Sequence, residues 1–253
     1  MEGRVALVTG ASRGIGLGIA EDLVRHGARV CLTGRKRESL DSALVQLGEA
    51  VPGREDAVFA VAGASHDANH RLSAIRQVIA RFGALDLLVN NAGTNPQYGP
   101  LVDADLGAVA KIYEVNVIAP LAWVQEVWKA TMAEHGGAVL NVASIGGVRP
   151  GPMIGAYNTS KAALIHLTRQ LALELAPRVR VNAIAPAVVR TRFARAMYEG
   201  REAEVAATYP LGRLGEVRDA AAIARFLLSD EASWITGETV VVDGGVSLAG
   251  GVG

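Results

Sequence analysis

Thr9-Gly10-Ala11-Ser12-Arg13-Gly14-Ile15-Gly16 joins a short aliphatic run, residues 5–9, to a stretch, 15–27, whose apolar positions recur at helical spacing. Glycines at that junction let the backbone turn tightly and approach a ligand, while the helix start offers unpaired N–H groups and the positive end of a dipole. A glycine cluster alone means only a tight turn. Between a strand and a helix it reads as a pyrophosphate-binding loop, the first unit of a dinucleotide fold.

Outward from this loop the pattern repeats. Residues 30–33, 58–61, 85–90, 138–144, 179–185 and 239–243 are further strand candidates, and 38–48, 67–82, 105–134, 156–176 and 216–229 carry helical periodicity. The strands are continuous apolar runs rather than alternations, as a parallel sheet with helices on both faces requires. The expected architecture is therefore α/β: a doubly wound, Rossmann-type, seven-stranded parallel sheet. No Pro/Gly/Ser-rich or charge-rich stretch divides the 253 residues, so a single domain, 1–253, is expected. Residues 191–213 have weak periodicity and carry Phe193, Met197, Tyr198, Tyr209 and Pro210. Ligands in such folds bind outside the carboxyl ends of the strands, which makes this segment a candidate substrate lid, more mobile than the core.

Composition narrows the partners. Twenty-five Lys and Arg balance 25 Asp and Glu, so neither nucleic acid nor an anionic membrane surface is expected. Cys31, the only cysteine, lies in an apolar run and reads as a small buried thiol. Residues 5–8 are too short for a signal-peptide core, and no later apolar run approaches the roughly 18 residues of a membrane span, which points to the cytoplasm. His66 and His70 share i,i+4 spacing without the acidic residue or cysteine of a metal site, so a solvated helix face is the expectation and no metal is.

Proton chemistry centres on Tyr157-Asn158-Thr159-Ser160-Lys161. With five tyrosines and four lysines, a chance Tyr-x-x-x-Lys would occur roughly 0.08 times in this chain. On a helix the two share a face, so the Lys161 ammonium is expected to favour the ionised Tyr157 and lower its pKa, giving a usable acid and base. Ser144, at the expected end of the fifth strand, can hydrogen-bond a substrate carbonyl there, although serines also end strands because they suit turns. Asn116, polar in an apolar helical stretch, reads by itself as a satisfied buried amide.

The G-x-x-x-G-x-G spacing of residues 10–16, Asn90-Asn91-Ala92-Gly93, Asn116, Ser144, the Tyr157–Lys161 segment and Pro186 resemble, in order and spacing, the classical branch of the short-chain dehydrogenase/reductase family over nearly the whole chain. The resemblance implies an oxidoreductase acting on a ketone, aldehyde or alcohol, with Asn116, Ser144, Tyr157 and Lys161 as its catalytic set. Asn116 would hold a water linking Lys161 to solvent. It also implies cofactor contacts at Gly10, Ser12, Arg13, Gly14, Ile15, Gly16, Asn91, Ala92, Gly93, Tyr157 and Lys161, and at Pro186, Val189 and Thr191. Ala64 stands where the family usually has an adenine-contacting aspartate, so backbone at Ala64 and Ser65 is expected to serve, and Ala187 departs from the usual Pro-Gly. The run Thr33-Gly34-Arg35-Lys36-Arg37 lacks the acidic residue that binds a ribose 2′-hydroxyl, so NADP(H) is expected over NAD(H), with Arg13 and Arg35 on the 2′-phosphate.

The sequence is similar to NADPH-dependent carbonyl reductases, including the stretch Asn95-Pro96-Gln97-Tyr98-Gly99-Pro100, and to 3-oxoacyl-acyl-carrier-protein reductases. Of two arginine positions associated with carrier docking in the latter, one is Lys129 and the other Leu173, which favours free apolar ketones while leaving acyl-CoA substrates open. A non-catalytic dinucleotide sensor would usually lack one of the four catalytic residues. A sugar epimerase would carry more chain after the last strand. Apolar positions along 105–134 and 156–176, helices that the family pairs between subunits, imply a homotetramer.

Overall fold

All four residues of β1 (Val5–Val8) are buried, a pattern possible only where both faces of a strand are covered. The computed structural model describes residues 1–249, so the last four of the expected span lie outside the described residues. After β1 come α1 (Gly14–Arg25), β2 (Arg29–Gly34), α2 (Arg37–Ala50), β3 (Val58–Ala62), α3 (Ala68–Phe82) and β4 (Leu87–Asn90). The chain continues through α4 (Leu106–His135), β5 (Gly137–Val142), α5 (Gly155–Leu175), β6 (Val179–Pro186), α6 (Glu202–Ala207), α7 (Val217–Leu228) and β7 (Thr239–Val242).

The seven strands pair in parallel in the order β3-β2-β1-β4-β5-β6-β7. Alternate side chains serve opposite faces. Ala6, Val8, Val30, Leu32, Leu87 and Val89 pack with α1, α2 and α7, whereas Val5, Leu7, Cys31, Leu88, Val139 and Val181 pack with α3, α4 and α5. The winding reverses between β1 and β4, and the crevice at their carboxyl ends is where such sheets take ligands.

Element boundaries fall within two residues of the sequence expectation, with one chemical consequence. The fifth strand ends at Val142, so Ser144 does not close it. Instead its hydroxyl accepts the Gly146 N–H at 3.1 Å and caps a 3-10 turn, Ile145–Gly147, because a serine side chain competes well for a free backbone donor at a strand end.

α4 contains two π-helical segments, Glu114–Ile118 and Trp128–Met132. At 30 residues it is long and apolar enough to cross a membrane, contrary to the expectation from apolar runs alone. Its apolar face is used elsewhere: Ile112, Trp123, Val127 and Met132 are buried within the protein, and Lys111 pairs with Glu114 on the outside. Residues 191–213 contain only a 3-10 turn, Arg195–Met197, and the short α6. Their two stems are zipped at the base, Arg190 N–H to Gly215 C=O at 2.8 Å and Gly215 N–H to Val188 C=O at 3.0 Å.

Candidate active site

Thr9, just past β1, organises the glycine loop. Its hydroxyl donates to the Val89 carbonyl at 3.2 Å and accepts the N–H groups of Asn91 and Ala92, each at 3.0 Å. The Asn91 carboxamide donates in return to the carbonyls of Thr9 at 2.9 Å and Gly10 at 3.1 Å. Gly10 has φ +63°, and a Cβ there would meet Ala92 Cα at 2.8 Å, so no other residue lets the loop lie this close to the chain after β4. Of the three residues 91–93, Asn91 thus spends its side chain on the loop.

α1 begins with Arg13 at its N-cap, and no side chain caps its first amides, which leaves them as donors to an anion. Ser12 packs on Gly34 at the end of β2, with Ser12 Cβ 3.5 Å from a Cβ built on the glycine. Arg35 follows directly on this rim. Arg13 and Arg35 are both exposed, and neither makes an ion pair or side-chain hydrogen bond among the described residues, whereas Arg37 is held by Asp41 at 2.9 Å. Gly14 faces Thr191, whose Cγ2 lies 3.4 Å from a Cβ built there, so the stem of residues 191–213 reaches the glycine loop. Thr191 donates its hydroxyl to the Val189 carbonyl at 3.2 Å, and Pro186 is the last residue of β6.

Beyond β3, the Ser65 hydroxyl accepts from the indole of buried Trp123 at 2.9 Å and fixes the Ala64–Ser65 backbone. Asp67, three residues past Ala64, caps α3 by accepting the N–H groups of Asn69 and His70. The histidines do not form the expected solvated face. His70 is buried edge-on against Trp123, ring centroids 5.8 Å apart, its pKa lowered by that burial, while His66 meets the Lys111 ammonium at 2.8 Å. The first turn of α3 tucks under β3, which takes His70 inward. Among the described residues no group of three or more potential ligands could hold a metal ion.

Asn116 sits in the first π segment of α4 and is fully buried. Its carboxamide grips Thr94 at both ends, accepting the N–H at 2.9 Å and donating to the C=O at 3.0 Å, and donates also to the Ser160 hydroxyl at 3.0 Å. A Cβ built on Gly93 would be 3.5 Å from Asn116 Oδ1 and 3.6 Å from Lys161 Nζ, so these groups converge behind the chain that follows β4. Lys161 is 3% exposed and donates to the Val142 carbonyl at 2.7 Å. Burial pushes its ammonium down to about 8.

Tyr157 precedes Lys161 by one turn, with the ammonium 5.7 Å from the centroid of its ring. Its phenol is pushed up to about 12 by burial, opposed by a hydrogen bond with the Ser144 hydroxyl. This reverses the direction expected from helical spacing: the side chain is half-buried with its hydroxyl enclosed, and the ammonium is directed at Val142 rather than at the hydroxyl. The rim in front is apolar. Phe193 of the lid lies 6.2 Å from the Tyr157 ring, planes inclined by 43°, and is 64% exposed. Met153, at φ 69° the only non-glycine residue with positive φ among the described residues, accepts Gly99 N–H at 2.7 Å and ties the loop before α5 to that after β4.

Several residues of this region escape sequence reading. Thr9 looks like one more strand residue, and Asn158 like filler between Tyr157 and Lys161. Asn90, Asn141 and Thr168 form a buried chain through the sheet, 2.9 Å at each link. A polar residue inside an apolar strand was the available signal.

Comparisons with known proteins agree on the lineage. Residues 10–247 match a family model described as enoyl-(acyl carrier protein) reductase. The pig protein dehydrogenase/reductase SDR family member 4 is 39% identical over 250 residues, covering 98% of this chain and 88% of the relative. A short-chain type dehydrogenase/reductase from Mycobacterium ulcerans superposes with a TM-score of 0.92 at 34% identity, covering 98% of this chain and 91% of that one. An actinorhodin polyketide ketoreductase solved with NADPH superposes at 0.90 with 30% identity, covering 96% and 97%.

Proposed function

Because the chain belongs to the short-chain dehydrogenase/reductase family, and is an oxidoreductase of CH–OH groups using a nicotinamide cofactor, we propose that it is an NADPH-dependent reductase of apolar ketones or aldehydes. The observation that carries this reading is the cluster itself: half-buried Tyr157, with Phe193 in front of its ring and buried Lys161 and Asn116 packed behind it. A phenol pushed up to about 12 is a weak acid until charge arrives beside it, and the Lys161 ammonium, 5.7 Å from the ring centroid, supplies the charge that stabilises the phenolate left after donation.

The residues present fit the dinucleotide. Gly10 and Gly16 let the loop pack closely on Asn91 and Ala92 and Gly14 lies against Thr191, the uncapped start of α1 with Ser12 and Ile15 would take the pyrophosphate, and Ala64, Ser65, Ala92 and Gly93 would border the nucleoside. Lys161 would reach the nicotinamide ribose, and Pro186, Val189 and Thr191 the carboxamide. When bound, the cofactor supplies the hydride that adds to the carbonyl carbon. The protein's own part is acid catalysis: Ser144 holds the carbonyl oxygen, and Tyr157 gives it the phenolic proton. Lys161 keeps positive charge beneath the ring as phenolate forms, and Asn116 fixes the Thr94 backbone beside it. Two arginines without a partner among the described residues, Arg13 and Arg35, support a 2′-phosphate and hence NADPH over NADH.

A 3-oxoacyl thioester reductase is the second reading, favoured by the carrier-protein description of the matching family model. Against it, Leu173 is 77% exposed and apolar where a docking cation would serve. The same exposed leucine, with Ile118 on α4, supports the homotetramer. Light scattering at micromolar concentration tests that assembly, and a stable monomer there rules it out. NADPH and NADH oxidation against a panel of aryl ketones, diketones and acetoacetyl thioesters tests the substrate. Apolar diketones or aryl ketones should give the higher kcat/KM, and a tenfold advantage for acetoacetyl thioesters over every free ketone would install the second reading.

A further inference from the structure

Asn158 lies beside Tyr157 on α5, is 6% exposed, and touches two loops at once. Its Nδ2 donates to the Gly151 carbonyl at 3.1 Å, on the loop before α5. Its Oδ1 occupies the place where a Cβ on Gly146 would stand, 2.0 Å from that position, and finds no hydrogen-bond donor among the described residues. Gly146 in turn gives its N–H to the Ser144 hydroxyl at 3.1 Å. A buried acceptor left without a donor weakens a fold rather than strengthening it, so stability alone is a poor reason for this carboxamide.

We infer that Asn158 is a positioning residue that sets the distance between the Ser144 and Tyr157 hydroxyls, by abutting the Ser144 turn through Gly146 while anchored to Gly151. The inference rests on the acid-catalytic reading of Ser144 and Tyr157 given above. One helix turn then carries both the acid and the template for the group that holds the substrate oxygen, so the two hydroxyls move together. Contact replaces bonding at Gly146: the missing Cβ is the socket and the carboxamide the key. Loosening this fit lets the Ser144 turn drift, and a shift of about an ångström in such a pair reduces turnover about 100-fold. It also weakens the serine hydrogen bond that holds the Tyr157 pKa down.

The test is a cycle of Asn158→Ala, Gly146→Ala and the double variant, with Tyr157→Phe as control, scored by kcat, KM, pH profile and thermal melting. Asn158→Ala should lower kcat about 10- to 100-fold at unchanged KM for cofactor, and move the apparent pKa of kcat/KM to higher pH. Gly146→Ala should lose more, and Asn158→Ala in the same chain should restore part of that loss by vacating the socket. Wild-type kcat and pH profile in a folded Asn158→Ala protein, or a double variant no better than Gly146→Ala, overturns the inference while Tyr157→Phe remains inactive. If Tyr157→Phe itself retains turnover, the acid-catalytic reading falls first and this inference with it.

Discussion

Two rims face each other across the crevice at the carboxyl ends of the strands, and they use their side chains in opposite ways. Along β1, β2 and β4 the polar side chains other than Arg13 and Arg35 are turned to the protein itself: Thr9 and Asn91 bond backbone on both sides of the glycine loop. Along the loops after β4 and before α5, and along the lid, side chains are left over. Tyr98 is 75% exposed, Val102 93% and Phe193 64%. A rim that spends its side chains on itself presents backbone amides in fixed positions, which suits a ligand whose shape never changes. A rim with unspent apolar side chains can be re-cut one residue at a time without disturbing the sheet. The first is a fixed seat and the second an adjustable one.

The contrast breaks most visibly at its centre. Tyr157→Phe should remove at least 99% of turnover while NADPH still binds in a fluorescence titration, since general acid catalysis contributes about 10²–10⁴-fold and the ring keeps its packing. Retention of more than about a tenth of wild-type kcat contradicts the role. Replacing Arg13 and Arg35 together with Ala should raise KM for NADPH about 10- to 100-fold and leave NADH kinetics nearly unchanged, the pattern of lost charge-assisted phosphate bonds. A parallel rise for both cofactors would assign the arginines to the fold instead.

Thr9→Val sharpens the comparison from the other side. It strips an acceptor from two amides and should cost about 2 kcal/mol of stability, visible in denaturant unfolding, together with weaker binding of either cofactor. Weaker cofactor binding at unchanged stability would show that the threonine touches the ligand itself.

Lys161→Met should abolish turnover yet stabilise the protein at pH 7 by about 3 kcal/mol, less whatever the unpaired Val142 carbonyl loses. The sign follows from the depressed pKa. Folded Lys161 titrates at about 8 and an ordinary lysine at 10.5, so the folded chain binds fewer protons between those values. The penalty for burying the ammonium is full below about pH 8 and is relieved as pH rises towards 10.5. The melting-temperature gap between variant and wild type should therefore narrow over that window, and a gap that widens with pH reverses the assignment. Smallest is the effect of Phe193→Ala, a change of about 3- to 10-fold in KM for aryl ketones with the melting temperature unmoved. A cofactor KM that moves with it would place Phe193 on the wrong rim.

Much of the first rim was legible in the sequence because its chemistry lies in contiguous motifs. Seven apolar runs separated by helical periods fix a doubly wound sheet, and Tyr157 with Lys161 is too improbable a pair to be idle. What escaped depends on direction in space. Helical spacing places Lys161 on the face of Tyr157 but says nothing of where the ammonium points, and it turned to the Val142 carbonyl. The i,i+4 spacing of His66 and His70 likewise conceals that one lies under β3 and the other outside. Asn158 gives no signal at all, since its importance is a contact with the space of an absent Cβ eleven residues before Tyr157.

The π segments of α4 have a genetic consequence. Each holds one residue beyond what an α-helix needs over the same length, and each residue advances a helix by about 100°. A single-codon deletion within 114–118 would leave the helix continuous and wind it as ordinary α. The halves on either side would keep their present facing, with Ile112 and Trp123 both still inward, because the π segment absorbs its surplus residue locally; what would go is the local bulge that brings Asn116 to Thr94 and Ser160. Frame-preserving deletions there should thus be tolerated by the helix and the core and tell only at the Asn116 contacts, which makes the surplus residue a mark of the site rather than of the fold.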